Sequence, residues 1–92
     1  MSAVRRAVTI TNRRGLHARA SAKFVTLASG LPCEVTVEKD GGGDVVTGTS
    51  IMGLMMLGAA MGDTIVISAE GEGAEHAVAE LAALVEAKFG ED

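Results

Sequence analysis

The sequence predicts a two-layer α+β sandwich in the element order β-α-β-β-α-β-α. Three observations carry that prediction. The chain has 92 residues, enough for one core and not for two, so residues 1–92 are read as a single domain. Its strand-like segments are β-rich, and the clearest of them, Cys33–Glu38, alternates apolar and polar residues and so has one wet face. Its helix-like segments carry apolar stripes able to cover the other face of a sheet.

The elements follow in order. Val4–Thr11 is β-rich and closes on Asn12-Arg13-Arg14-Gly15. From His17 the period becomes helical, with Ala20, Phe24, Leu27 and Ala28 on one face and Leu16 at the entrance. Gly30 and Pro32 stop that helix. Cys33, Val35 and Val37 then alternate with Glu34, Thr36 and Glu38, and a turn at Asp40–Gly43 returns the chain along Val45–Thr47. Ser50 is a good N-cap for a short helix over Ile51–Leu57. Thr64–Ala69 is a strand with Ile65 and Ile67 on one face and Thr64, Val66 and Ser68 on the other. A last helix, Ala74–Phe89, carries the stripe Val78, Leu81, Val85 and Phe89.

Composition excludes several classes of function. Apolar residues make up 48% of the chain, too many for a disordered segment. The single cysteine, Cys33, allows neither an internal disulfide nor a cysteine-based zinc site, and it suits a reducing cytoplasm. Ile51–Met61 is too short to span a bilayer and holds Gly53 and Gly58, so no membrane insertion is expected. The net charge of −4 is unevenly spread: residues 1–23 carry six cations and no acid, whereas the last thirty residues are strongly acidic. On charge alone, a real anion-attracting end and two halves that neutralise each other in space are equally good readings. Nucleic-acid binding is disfavoured, because the basic segment lacks stacking aromatics and the chain is acidic overall.

No nucleotide-binding glycine loop, serine-hydrolase elbow or metalloprotease motif occurs. His17 and His76 are not at metal-ligand spacing, so neither a metal nor a cofactor is expected. His76 falls among Glu72, Glu75 and Glu80 and reads as solvent-exposed. His17 stands where a glycine loop turns into a helix. The N–H groups of Ala18 and Arg19 are therefore expected to point outward beside its imidazole, as a preformed anion site. Arg19 adds a bidentate phosphate ligand and Arg14 a positive field. These cationic surroundings favour the uncharged imidazole that a nucleophilic nitrogen requires. A histidine that merely caps a helix is the plainer reading of the same residues.

Gly15-Leu16-His17-Ala18-Arg19, followed by Ala20-Ser21-Ala22-Lys23-Phe24-Val25, closely resembles the active-site segment of the HPr family. These are the histidine phosphocarriers of the bacterial phosphoenolpyruvate-dependent phosphotransferase system. Ser50-Ile51-Met52-Gly53-Leu54-Met55, then Leu57-Gly58, is similar to that family's regulatory-serine helix, and Gly62–Gly71 to its final strand and the entry to the last helix. The resemblance runs in order over nearly the whole chain. It implies an open-faced β-sandwich, a four-stranded antiparallel sheet covered on one side by three helices. The family's usual proline after the arginine is Ala20 here, its usual basic residue before the serine is Thr49, and the Asp40–Asp44 hairpin is slightly long.

What the resemblance implies about function is a carrier, not an enzyme. His17 takes a phosphoryl group from phospho-enzyme I and passes it to enzyme IIA proteins, for sugar uptake or regulation. Arg19 and the backbone of Ala18 and Arg19 stabilise the phosphate. Ser50 is the regulatory site of a serine kinase/phosphorylase, and Ile51, Met52 and Met55 form the partner-binding patch. The expected protein is a cytoplasmic monomer. Two alternatives stay open: a small phosphate-processing enzyme of acylphosphatase type, for which no glycine-rich arginine loop is found, and a purely regulatory protein-binding module. The sequence does not separate a sugar-transport carrier from a nitrogen-branch one.

Overall fold

A computed structural model describes residues 3–91. The elements are β1 (Ala3–Thr9), α1 (Ala18–Ser29), β2 (Glu34–Lys39), β3 (Val45–Thr47), α2 (Ile51–Met56), β4 (Thr64–Glu70) and α3 (Ala74–Glu86), ending in a 3₁₀ turn at Lys88–Gly90. The expected order and the open antiparallel sheet with three helices are borne out. The strands lie in the order β1-β4-β2-β3. β4 is central, with Ala7 opposite Val66 on one side and Glu38 opposite the same Val66 on the other.

The sheet has the two unlike faces that the alternation predicts. Val8, Val35, Val37, Ile65 and Ile67 join Phe24, Leu54, Leu81, Val85 and Phe89 in one core. With two aromatics in the chain, both Phe24 and Phe89 are fully buried, and the remaining volume is filled by short aliphatic side chains. On the opposite face Thr9 and Thr64 hydroxyls pair across the strands at 3.3 Å, and Arg5 meets Glu38 at 3.6 Å. Arg6 reaches Glu86 at 3.7 Å. Part of the basic amino-terminal charge is thus neutralised by acids distant in sequence, but among the described residues Arg13, Arg14 and Arg19 form no ion pair.

Several boundaries differ from the sequence reading. β1 is regular to Thr9; Ile10 still donates to its register partner, the Asp63 carbonyl, at 2.8 Å, but accepts from the Gly62 N–H at 2.8 Å, so the ladder slips by one residue and ends there. Gly30 ends α1 without a left-handed cap: at φ −88° it donates to the Ala28 and Leu27 carbonyls in a tightened last turn. The last helix stops at Glu86, not Phe89. Lys88 and Phe89 take left-handed backbone at φ 58° and 55°, so Phe89 enters the core from a turn. Among the described residues no helix is long and apolar enough to cross a membrane.

Candidate functional site

The site begins with a loop that has little freedom. Gly15 sits at φ +63°, and a Cβ there would lie 2.4 Å from the Ala59 carbonyl oxygen. Only glycine fits such an approach, which lets the Leu16 N–H donate to that oxygen at 3.0 Å. Buried Asn12 donates its side-chain amide to the Gly15 carbonyl at 2.9 Å, and Ser21 Oγ donates to the Leu16 carbonyl at 3.2 Å. The loop between β1 and α1 is therefore tied to the segment after α2 and to the first turn of α1. It delivers His17 in extended backbone (φ −75°, ψ 178°) as the N-cap of α1.

The imidazole is half-buried and both its nitrogens are engaged. Nδ1 accepts the Arg19 N–H at 3.3 Å, a long bond. Nε2 lies 2.5 Å from Glu91 Oε2, while the other carboxylate oxygen of Glu91 accepts from Asn12 Nδ2 at 3.1 Å. An acceptor at Nδ1 carries no proton, so the ring proton of the neutral imidazole belongs on Nε2, where the carboxylate takes it. Asn12 donation, and then the hydrogen bond and charge of His17, hold the Glu91 carboxyl below its ordinary value against the opposing effect of burial.

Two expectations for this region need correction. The Arg19 N–H is not idle, because it is spent on the imidazole that it was expected to flank. Nor is His17 surrounded by positive groups alone, since the fold carries Glu91 across 74 positions of sequence to its Nε2 edge. Neither Glu91 nor the second-donor role of Asn12 was found from sequence. Asn12 reads locally as a turn residue, and nothing in the sequence near Glu91 marks it as a neighbour of His17. Arg19 itself is exposed in the first turn and lines, with Ala22, Leu27, Leu31 and Leu84, an apolar groove that sequence reading also missed. His76 is exposed, as expected.

Chemically, this arrangement offers a nucleophilic nitrogen facing a helix N-terminus. Nδ1 is turned toward the first-turn N–H groups of α1, where partial positive charge favours an anion. Arg13, Arg14 and Arg19 leave the loop and first turn with unpaired positive charge among the described residues.

Ser50 occupies the corresponding place on α2. Its Oγ accepts the Gly53 N–H at 2.9 Å, the side-chain cap expected there. Of α2, only Leu54 is buried, whereas Ile51, Met52 and Met55 are 39%, 70% and 43% exposed. Met56, on the same helix, and Met61 after it are also exposed, and neither was singled out from sequence.

The chain matches the family model described as "PTS HPr component phosphorylation site" over residues 4–87. It is 42% identical over 91 residues to the phosphocarrier protein NPr of Shewanella violacea, covering 99% of this chain and 98% of that one. It is 43% identical over 84 residues to the phosphocarrier protein HPr of Pseudomonas aeruginosa, covering 91% of this chain and 92% of the other. Among solved structures, HPr-C-His from Thermoanaerobacter tengcongensis superimposes with a TM-score of 0.87 at 43% identity, covering 100% of this chain and 99% of that one. These matches favour neither the acylphosphatase alternative nor the purely regulatory one. A one-sided sheet, a histidine presented at a helix N-terminus and near full-length likeness to named carriers agree: the chain belongs to the HPr family, the phosphocarrier proteins of the phosphotransferase system, which carry a phosphoryl group and are not themselves enzymes.

Proposed function

We propose that His17 is the phosphoryl acceptor and donor, through Nδ1. One observation supports this above the rest: Nδ1 faces the Arg19 N–H at the start of a twelve-residue helix, so a phosphoryl group on that atom lies against helix N–H groups. On this reading phospho-enzyme I delivers the group and an enzyme IIA protein removes it. The backbone of Ala18 and Arg19 and the Arg19 guanidinium hold the phosphate oxygens as charge moves on and off the ring. Partners meet the protein on the apolar surface of Ile51, Met52 and Met55, which the exposure of these side chains supports. Ser50 is the regulatory site, where an added phosphate finds the N-terminus of α2. The whole chain acts as one domain, as a cytoplasmic monomer. Sugar-transport and nitrogen-branch roles both fit, since relatives of both names match the chain.

Incubation with phosphoenolpyruvate and enzyme I, read by intact mass and acid lability, tests the assignment. One acid-labile phosphate per chain is expected, retained in His76→Ala and absent in His17→Ala. Labelling that survives His17→Ala would overturn it.

A further inference from the structure

We infer that Glu91 is a positioning residue for phosphoryl transfer: its carboxylate keeps the imidazole proton of His17 on Nε2, so that Nδ1 presents a lone pair to phosphorus. This inference rests on the reading of His17 as acceptor.

The contact is built, not incidental. After α3 the chain takes three successive residues in the left-handed region, Lys88 at φ 58°, Phe89 at 55° and Gly90 at 76°. Two of these are not glycine, a conformation that L-residues adopt only when surrounding structure compensates. Here the compensation is visible. The Phe89 side chain is fully buried, and Lys23 of α1 donates to the Phe89 carbonyl at 2.6 Å. The strained turn therefore reverses the chain onto the N-terminal half of α1 and sets Glu91 on the Nε2 edge of His17.

Asn12 then fixes the carboxylate. Its two amide protons go to the Gly15 carbonyl at 2.9 Å and to Glu91 Oε1 at 3.1 Å. A flipped amide would turn its own oxygen toward two acceptors, so only one orientation works. Asn12 is fully buried. It ties the loop that carries His17 and the carboxylate that orients His17 to the same side chain. The bracket leaves the other face of the ring, Nδ1, toward the helix N-terminus.

The transfer step balances with these groups alone. The Nδ1 lone pair forms the new N–P bond as the bond from phosphorus to the donor's imidazole nitrogen breaks, its electron pair returning to that nitrogen. The ring proton stays on Nε2. The phosphorylated ring then carries positive charge between its phosphoryl group and the Glu91 carboxylate, which stabilises it. In the onward step the P–N bond breaks with its pair returning to Nδ1, and a neutral imidazole leaves, still protonated on Nε2. Without the carboxylate only the long bond from the Arg19 N–H, at 3.3 Å, opposes a proton on Nδ1, where it would block attack. Loss of the Nε2 proton from the phosphorylated ring would likewise make the imidazole a poorer leaving group. A carboxylate that orients and tautomerically fixes a histidine is a general device of nucleophilic catalysis.

The test uses the full chain with ¹⁵N-labelled histidine, and compares wild type with Glu91→Ala and Glu91→Gln. Nitrogen shifts of His17 should report the Nε2–H tautomer in wild type and a mixture in Glu91→Ala. The limiting rate of transfer from phospho-enzyme I should fall about 10-fold in Glu91→Ala with half-saturation nearly unchanged, the lower end of what losing a histidine-orienting partner costs. Glu91→Gln keeps an acceptor oxygen without the charge, so it should restore the tautomer and recover only part of the rate. Unchanged tautomer and unchanged rate in both variants would overturn the inference, and so would faster transfer in Glu91→Ala, which would make the residue a shield. Either result, with phosphate still on His17, leaves the acceptor assignment standing. Phosphate found elsewhere would instead remove the acceptor assignment itself.

Discussion

The entrances of α1 and α2 use one local device for opposite ends. At each, an N-cap side chain in extended backbone accepts a first-turn N–H: His17 Nδ1 from Arg19 at 3.3 Å, Ser50 Oγ from Gly53 at 2.9 Å. At α2 the bond is short and the side chain has one oxygen to offer, so the cap chiefly stabilises a helix of six residues. At α1 the bond is long and the cap is a heterocycle whose second nitrogen is held by Glu91. The neighbourhoods differ as much as the caps. Cations flank His17, whereas Ser50 opens onto exposed Ile51 and Met52. A strong cap with an apolar surround suits a surface that partners cover. A weak cap with a second, charged partner suits the proposed role of His17, whose Nδ1 would change its bonding.

That contrast breaks most visibly at His17. His17→Ala should abolish acid-labile labelling and lower the melting temperature only modestly, since it loses one long capping bond and the contact with Glu91. Ser50→Ala should do the reverse, with labelling retained. Arg19→Ala is expected to slow transfer about 100-fold, the scale of removing one donor from a charge-stabilising site. Its melting temperature should stay near wild type, since the side chain is exposed. A large loss of stability with normal kinetics would mark Arg19 as structural.

Gly15→Ala tests the rigidity of the α1 entrance. It places a Cβ against the Ala59 oxygen in left-handed backbone, and should cost about 1–3 kcal/mol in denaturant unfolding. The equivalent change at Gly53 of α2 meets the Ser50 and Val46 side chains at 3.1 Å and no unusual backbone, so it should cost clearly less. Met52→Glu should raise half-saturation for enzyme I with the limiting rate nearly unchanged, because Met52 is 70% exposed and contributes little to folding. Unfolding by this change would contradict the exposed position.

Smaller effects follow at Ser50. Its replacement by Ala should cost roughly 0.5–2 kcal/mol through the lost cap. Ser50→Asp should keep an N-terminal acceptor while slowing transfer at low salt, with partial recovery as salt screens the added charge. Equal rates for Ser50→Asp and wild type at low salt would leave only the cap. The smallest expected effect is in pH. The Glu91 and Asp63 carboxyls are held below their ordinary values, the first chiefly by Asn12 and the second chiefly by the Ala60 N–H and then Lys39. A depressed carboxyl stabilises the fold above its unfolded value and loses that contribution as pH falls through its folded one. Melting temperature should therefore decline on acidification below about pH 4.5, and the Glu91 share of that decline should vanish in Glu91→Gln.

Much of this molecule was legible in one dimension because its signals are local. Alternation in Val35–Val37 marked the buried face of β2, Gly15 before His17 announced a loop entering a helix, and Ser50 announced its own cap. Boundaries failed where a distant partner decided them. Phe89 left the helix for a left-handed turn that a buried ring and Lys23 sustain. Whether methionines on α2 belong to the core was likewise undecidable from periodicity, since a six-residue helix gives too few turns to distinguish its faces.

Propensity, periodicity and capping act over a few residues, and they suffice for the order of elements, the one-sided sheet and the histidine at a helix entrance. Which edge of that histidine meets a carboxylate depends on the assembled fold. Glu91 lies 74 positions away and reaches Nε2 through a strained turn that no local preference favours. The energy that holds it comes from burying Phe89 and from the bonds donated by the Asn12 amide group and Lys23, and those contacts exist only once the sheet and α1 have been assembled.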